Sequence, residues 1–153
     1  MYTVGHHCIK KYIINEIYAD GYERFATIKE IGQDAEWNVH FIEYDEYLEN
    51  GEASGKKKKG DLLEGNLSIS LVTFSRRAEE DFCHHQDILK SPHIEAIIEV
   101  RQIIDAYTIY AVSSILEDAI LIEFESAIDY KVGERILVVG SLELRGRKDV
   151  IDP

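Results

Sequence analysis

The sequence predicts a mainly β domain, an antiparallel barrel or sandwich (OB-like among the options) with one short helix or irregular segment. Three observations carry that expectation. Apolar and polar residues alternate with a period of two in several runs, as a strand with one buried face requires. Nine tyrosines, five phenylalanines and one tryptophan provide aromatic residues suited to a pleated surface. The runs are short and joined by short turns, the pattern of strands placed in series. At 153 residues and 45% hydrophobic, the chain fits one domain able to bury a core without disulfides or metal.

Taken in order, residues 8–18, 25–31 and 37–44 are expected strands. In the third, Trp37, Val39 and Phe41 alternate with Asn38, His40 and Ile42, which leaves one face apolar. Residues 51–60 contain glycines and four consecutive lysines, Lys56 to Lys59, with no large apolar side chain, and read as an exposed loop. Residues 65–74 alternate through Leu67, Ile69 and Leu71. Residues 93–104 are rich in Ile and Val, turn at Asp105-Ala106, and return over 107–112. Residues 119–124 and 135–144 supply two more strands. Residues 75–90 are polar and poor in β-branched side chains; with Ser75 followed by Glu79 and Glu80 they read as irregular or a short helix. The single domain, 1–153, thus has an acidic aromatic β part (1–50), an exposed Gly/Lys loop (51–60) and a barrel-like β part (61–153).

Charge narrows the functions. Seventeen basic against 29 acidic residues give a net charge of −12. Such a surface repels phosphate backbones and anionic lipid, which disfavours general nucleic-acid or membrane binding, and it attracts a basic partner. From Glu16 to Glu52 the imbalance is strongest, eleven carboxylates against Arg24 and Lys29. No stretch approaches the roughly 18 apolar residues needed to span a bilayer, and residues 1–8 lack a signal peptide's basic and apolar regions, so a cytoplasmic location is expected. Two cysteines, Cys8 and Cys83, do not make a disulfide framework.

Catalytic motifs are absent, so an enzyme is not expected. His6-His7-Cys8 and Cys83-His84-His85 contain zinc-ligand types, but strand neighbours face opposite sides and no Cys-x-x-Cys or His-x-x-x-His spacing occurs. Packed cysteines and exposed histidines explain both triplets, and no metal or cofactor is expected. Cys83 beside His84 does not make a thiol with its base, because a catalytic histidine is usually remote in sequence. Ser113-Ser114 and Gly140-Ser141-Leu142 read as ordinary hairpin and strand-end sequence. Glu123 and Glu125 share a strand face, where a paired carboxylate could shift a pKa, although a solvated acidic face is the simpler reading. Lys56–Lys59 lacks the strand–loop–helix context of a phosphate site. The strongest candidate is an interaction surface. Tyr12, Tyr18, Tyr22, Phe25, Trp37, Tyr44 and Tyr47 are interleaved with acids, and aromatic anchors among carboxylates suit a basic protein surface. Glu43, Tyr44, Asp45, Glu46 and Tyr47 are the expected partner-binding segment, even though core packing would absorb some of these aromatics.

Two resemblances add to this. Residues 131–144, a glycine turn feeding a strand with Gly140 in its middle, resemble the late strand of an OB-like barrel. That resemblance implies an alternative, a barrel that binds nucleic acid or a small ligand through Lys56–Lys59, although Glu95, Glu99, Glu123, Glu125 and Glu134 oppose a nucleic-acid face. In size, acidity and its acidic aromatic segment, the chain is similar to bacterial immunity proteins of polymorphic-toxin and contact-dependent inhibition systems. That likeness implies a non-enzymatic cytosolic protein that neutralises a basic cognate toxin such as a nuclease. It carries no residue-by-residue correspondence. An exposed strand edge could also pair two copies into a homo-oligomer.

Overall fold

A computed structural model describes residues 10–115 and 119–146. The chain is all-β: β1 (Lys10–Asp20), β2 (Glu23–Glu30), β3 (Glu36–Ile42), β4 (Leu62–Arg77), β5 (Cys83–His85), β6 (His93–Asp105), β7 (Thr108–Val112), β8 (Ile120–Phe124) and β9 (Arg135–Arg145). Among the described residues there is no helix. Each alternating run in the sequence forms a strand, with ends displaced by a few residues where they are described; residues 8 and 9 of the first run lie outside the described residues. The polar segment 75–90 is where the sequence misleads. Its first three residues complete β4, Cys83–His85 form the added strand β5, and the remainder is irregular. The physical reason is that Arg76 and Arg77 pair in register with Leu137 and Ile136 of β9 while their side chains stay in water on Glu80 and Glu134. Their polarity marks a solvated strand face, not a helix start.

The nine strands form one mixed sheet in the order β1-β2-β3-β9-β4-β8-β7-β6-β5, with additional pairings β1–β4 and β6–β9. Those additional pairings close the sheet into two rings that share the long antiparallel pair β4–β9. The N-terminal part of β4 and the C-terminal part of β9 close the first ring with β1, β2 and β3. Their other halves close the second with β6, β7 and β8. Two contacts, β3–β9 and β4–β8, are parallel, so the sheet is not antiparallel throughout. β4 and β8 run the same way because the excursion through β5, β6 and β7 lies between them.

The rings meet at an irregularity in the shared pair. Between Ser70 and Phe74 β4 carries more residues than β9 does between Ser141 and Val139, and Leu71 adopts a φ of 54° there with its side chain exposed. A bulge of this kind bends its strand and strengthens the local twist. Gly140 lies against it. A Cβ at that position would sit 2.6 Å from the Ser70 carbonyl oxygen, so only glycine lets the two backbones approach this closely.

Inward-facing residues of both rings form one continuous core. Tyr12, Ile14, Ile28, Trp37 and Val39 fill the first ring; Ile94, Ile98, Ile109, Ile122 and Ile136 fill the second. Leu67, Ile69, Leu142 and Leu144 of the shared pair belong to both. The alternating burial along β2, β3, β7 and β8 is the period-2 pattern read in the sequence.

Candidate functional site

The candidate site lies at the rim of the first ring, where the β1–β2 turn meets the connection from β3 to β4. Its organising residue is Arg24. In β2 it shares the inward parity of Ala26 and Ile28, and it is fully buried. A buried guanidinium must find acceptors for its donors. Its Nη1 donates to the carbonyls of Gly21 (2.8 Å) and Glu23 (3.0 Å). Its Nη2 donates to the Glu46 carbonyl (2.6 Å) and to a Glu46 carboxylate oxygen (3.3 Å). One side chain therefore holds the tight turn and the 43–47 segment together.

The five residues expected to contact a partner divide into two groups. Glu43 is buried, its backbone N–H donating to the Tyr22 carbonyl and its carboxylate 3.7 Å from the Lys57 ammonium. Glu46 accepts from the Ser54 hydroxyl, the Gly55 N–H (3.0 Å) and Arg24. The Ser54 hydrogen bond, then the Gly55 N–H and Arg24, hold its carboxyl below the usual range. These two acids build the loop. Tyr44, Asp45 and Tyr47 point outward, each 61% exposed, and Asp45 lies 3.6 Å from Lys56.

Around them the structure gathers further aromatics. Tyr47 packs edge-on against Tyr22, ring centroids 5.2 Å apart, and covers Gly21 in the turn. Tyr18 packs beside Phe25 and donates its hydroxyl to Asn50. Tyr44 stands at the edge of an open groove of about 360 Å³ that Phe41, Ile42, Ser70 and Arg145 also line. Tyr18 and Tyr22 are, like Tyr44 and Tyr47, largely exposed. Tyr12 and Trp37, which the sequence grouped with them, are core residues, as the packing alternative required.

The lysine loop is part of this site. Lys56 and Lys57 lie on Asp45 and Glu43, so the basic run and the acidic segment partly neutralise one another. Asp20, Glu49 and Glu52 remain exposed at the same rim.

A second polar cluster closes the first ring. His40 of β3 and Glu143 of β9 are the one residue pair that joins those strands. His40 Nδ1 lies 2.7 Å from a Glu143 oxygen and Nε2 lies 3.2 Å from a Glu23 oxygen. Ionised carboxylates only accept, so the imidazole donates to both at once in its protonated form. The hydrogen bond to Glu143, backed by the charges of Glu143 and Glu23, raises its pKa against the opposing effect of burial. Nearby on the outer face, Glu123 is bound by Arg145 and the Ser70 hydroxyl. It is therefore not one of a free carboxylate pair with Glu125, which follows the end of β8.

Cys83, His84 and His85 form β5, paired with Ile97, Ala96 and Glu95. His6-His7-Cys8 lies outside the described residues, and among the described residues no group of three His, Cys, Asp or Glu side chains could hold a metal ion. No helix among the described residues is long and apolar enough to cross a membrane. No protein-family model, curated protein or solved structure matches this chain.

Proposed function

We propose that the protein is a binding protein of the immunity type, which neutralises a basic cognate toxin by covering its working surface. The observation that carries this reading is the aromatic rim: Tyr18, Tyr22, Tyr44 and Tyr47 exposed around a loop that buried Arg24 holds in place. Tyrosines are frequent anchors of protein interfaces, and a prearranged surface loses little conformational entropy on binding. Asp20, Asp45, Glu49 and Glu52 surround them and favour a basic partner, while the net charge of −12 speeds its approach. Tyr44 and Tyr47 supply affinity in this reading, the exposed acids supply association rate, and Glu43 and Glu46 position the loop.

Affinity capture from the cell of origin at low and high salt tests it, with wild type beside a Tyr44→Ala/Tyr47→Ala variant. The expected result is one basic protein held near stoichiometry by wild type, weakened by salt and lost from the variant. Recovery of nucleic acid alone, or equal recovery by both proteins, contradicts the reading.

A further inference from the structure

Away from the tyrosine rim, a cleft of about 510 Å³ opens where the two rings adjoin. Lys10 of β1, Glu30 of β2 and Trp37 of β3 line it from the first ring; His84 of β5 and Ser113 and Ser114, after β7, line it from the second. Clefts between two structural units with a few convergent polar groups are the usual place for small-molecule chemistry. The two serines have separate tasks. Ser113 accepts the Ile115 N–H at 3.1 Å and shapes the turn, whereas the Ser114 hydroxyl lies 2.7 Å from His84 Nδ1.

We propose that Ser114 and His84 form a nucleophile–base dyad that takes acyl groups from small esters entering this cleft. Three features support the assignment. A serine hydroxyl within 3.2 Å of an imidazole nitrogen has the geometry for proton transfer. The imidazole is fixed on both sides, by the β5–β6 pairing of its backbone and by the Trp37 ring 4.7 Å away. Burial, with the neighbouring His85 adding to it, lowers the pKa of His84, which favours the neutral ring that can accept the proton. The other charged groups lining the cleft are Lys10 and Glu30, 3.7 Å apart; β3 and the turn after β7 contribute no charged side chain to the lining.

The reaction balances without any further cofactor. Ser114 Oγ bonds to the ester carbonyl carbon as its proton passes to His84 Nδ1. The C–O bond to the alcohol breaks, and the alcohol leaves with that proton. Water, with His84 again taking a proton, then hydrolyses the acyl-serine to the carboxylic acid and restores the dyad.

The test is labelling of the whole protein with diisopropyl fluorophosphate, read by intact mass and peptide mapping, together with hydrolysis of 4-nitrophenyl acetate. The expected result is one phosphoryl group per chain on Ser114 and none in Ser114→Ala, a change at an exposed position that leaves the fold intact. His84→Gln, checked for folding by circular dichroism, should slow labelling about a hundredfold. In wild type the labelling rate should rise with pH and reach half its plateau below pH 6.5, the ordinary imidazole value. No label, label on another residue, labelling of His84→Gln at the wild-type rate, or a rate that rises only above about pH 8 each overturns the dyad. The pH profile of wild type decides the matter even if His84→Gln fails to fold.

Discussion

The two rings share one pair of strands and differ in how they are closed. The second ring is closed by backbone: β6 pairs with β9 from His93–Ser141 to Glu99–Arg135, and its interior is almost entirely aliphatic. In the first ring, β3 meets β9 at a single residue pair, and side chains supplement it. His40 joins Glu143 and Glu23, and the Gln86 side chain donates to the Asn38 carbonyl and accepts its N–H, standing in for a missing strand partner. The first ring also buries a guanidinium. Aliphatic burial and a continuous ladder stabilise the second ring, whereas a single backbone pair with polar clasps leaves less to break before the first ring opens. The candidate partner-binding loop is attached to the ring with the polar closure, in keeping with the general pattern of binding residues on loops positioned by a scaffold.

This contrast can be broken from its largest effect downward. Gly140→Ala strikes the pair the rings share, where neither the Ser70 carbonyl nor the neighbouring Ile69 and Val72 side chains leave room for a methyl group. It should cost about 3 kcal/mol of unfolding free energy in urea titration and loosen both rings together. Arg24→Ala removes the anchor of the rim and takes one donor from each of the Gly21, Glu23 and Glu46 carbonyls, of which Gly21 keeps the Leu48 N–H. The loss should be about 2 kcal/mol, below that of a wholly buried ion pair because Glu46 keeps Ser54 and Gly55. Hydrogen exchange should show the change confined to residues 20–24 and 43–61, with β6–β9 protection preserved.

The seam of the first ring sharpens the comparison through pH. The folded pKa of His40 is raised above 6.5, so its contribution to stability is fully present below that value and fades as pH rises through the folded pKa. The loss should be about 1 kcal/mol, since Glu23 is half exposed and solvent weakens that arm. Unfolding titrations of wild type should show it above pH 6.5, and His40→Gln should abolish it. Glu46 acts with the opposite sign: its lowered pKa gives stability present above the ordinary 4.5 and lost as acid drives pH down through the folded value. Smallest of all, Tyr44→Ala should change stability by no more than about 0.5 kcal/mol, because the side chain is mostly in solvent.

The strands were largely legible because their buried and exposed positions alternate. Trp37, Val39 and Phe41 are inside and Ile42 is outside, as their parity requires. Arg24 lies just before the expected strand 25–31 and counts there only as a base among acids, whereas in β2 it shares the inward parity of Ala26 and Ile28. Closure into two rings was not legible, since it depends on β1–β4 and β6–β9 pairings between strands distant in sequence. Which side chains of residues 43–47 face water was partly legible. Tyr44 and Tyr47 are exposed, but whether an acid faces water or a buried arginine depends on the loop's path, and Glu43 and Glu46 turn inward. The lysine loop, expected to be exposed and to contact a ligand only in the alternative barrel reading, folds onto that segment. Similarly, Ser114 and His84 lie 30 residues apart and meet because β5 and β7 both pair with β6.

The most direct test of the central claim is the association kinetics of the protein with the partner it captures, comparing two variants with wild type. Tyr44→Ala/Tyr47→Ala should raise the dissociation rate at least tenfold with little change in association. Asp45→Lys/Glu49→Lys/Glu52→Lys, which leaves the structural acids Glu43 and Glu46 in place, should slow association and flatten its salt dependence. Wild-type kinetics in both variants would contradict the account and place the binding surface elsewhere on the molecule.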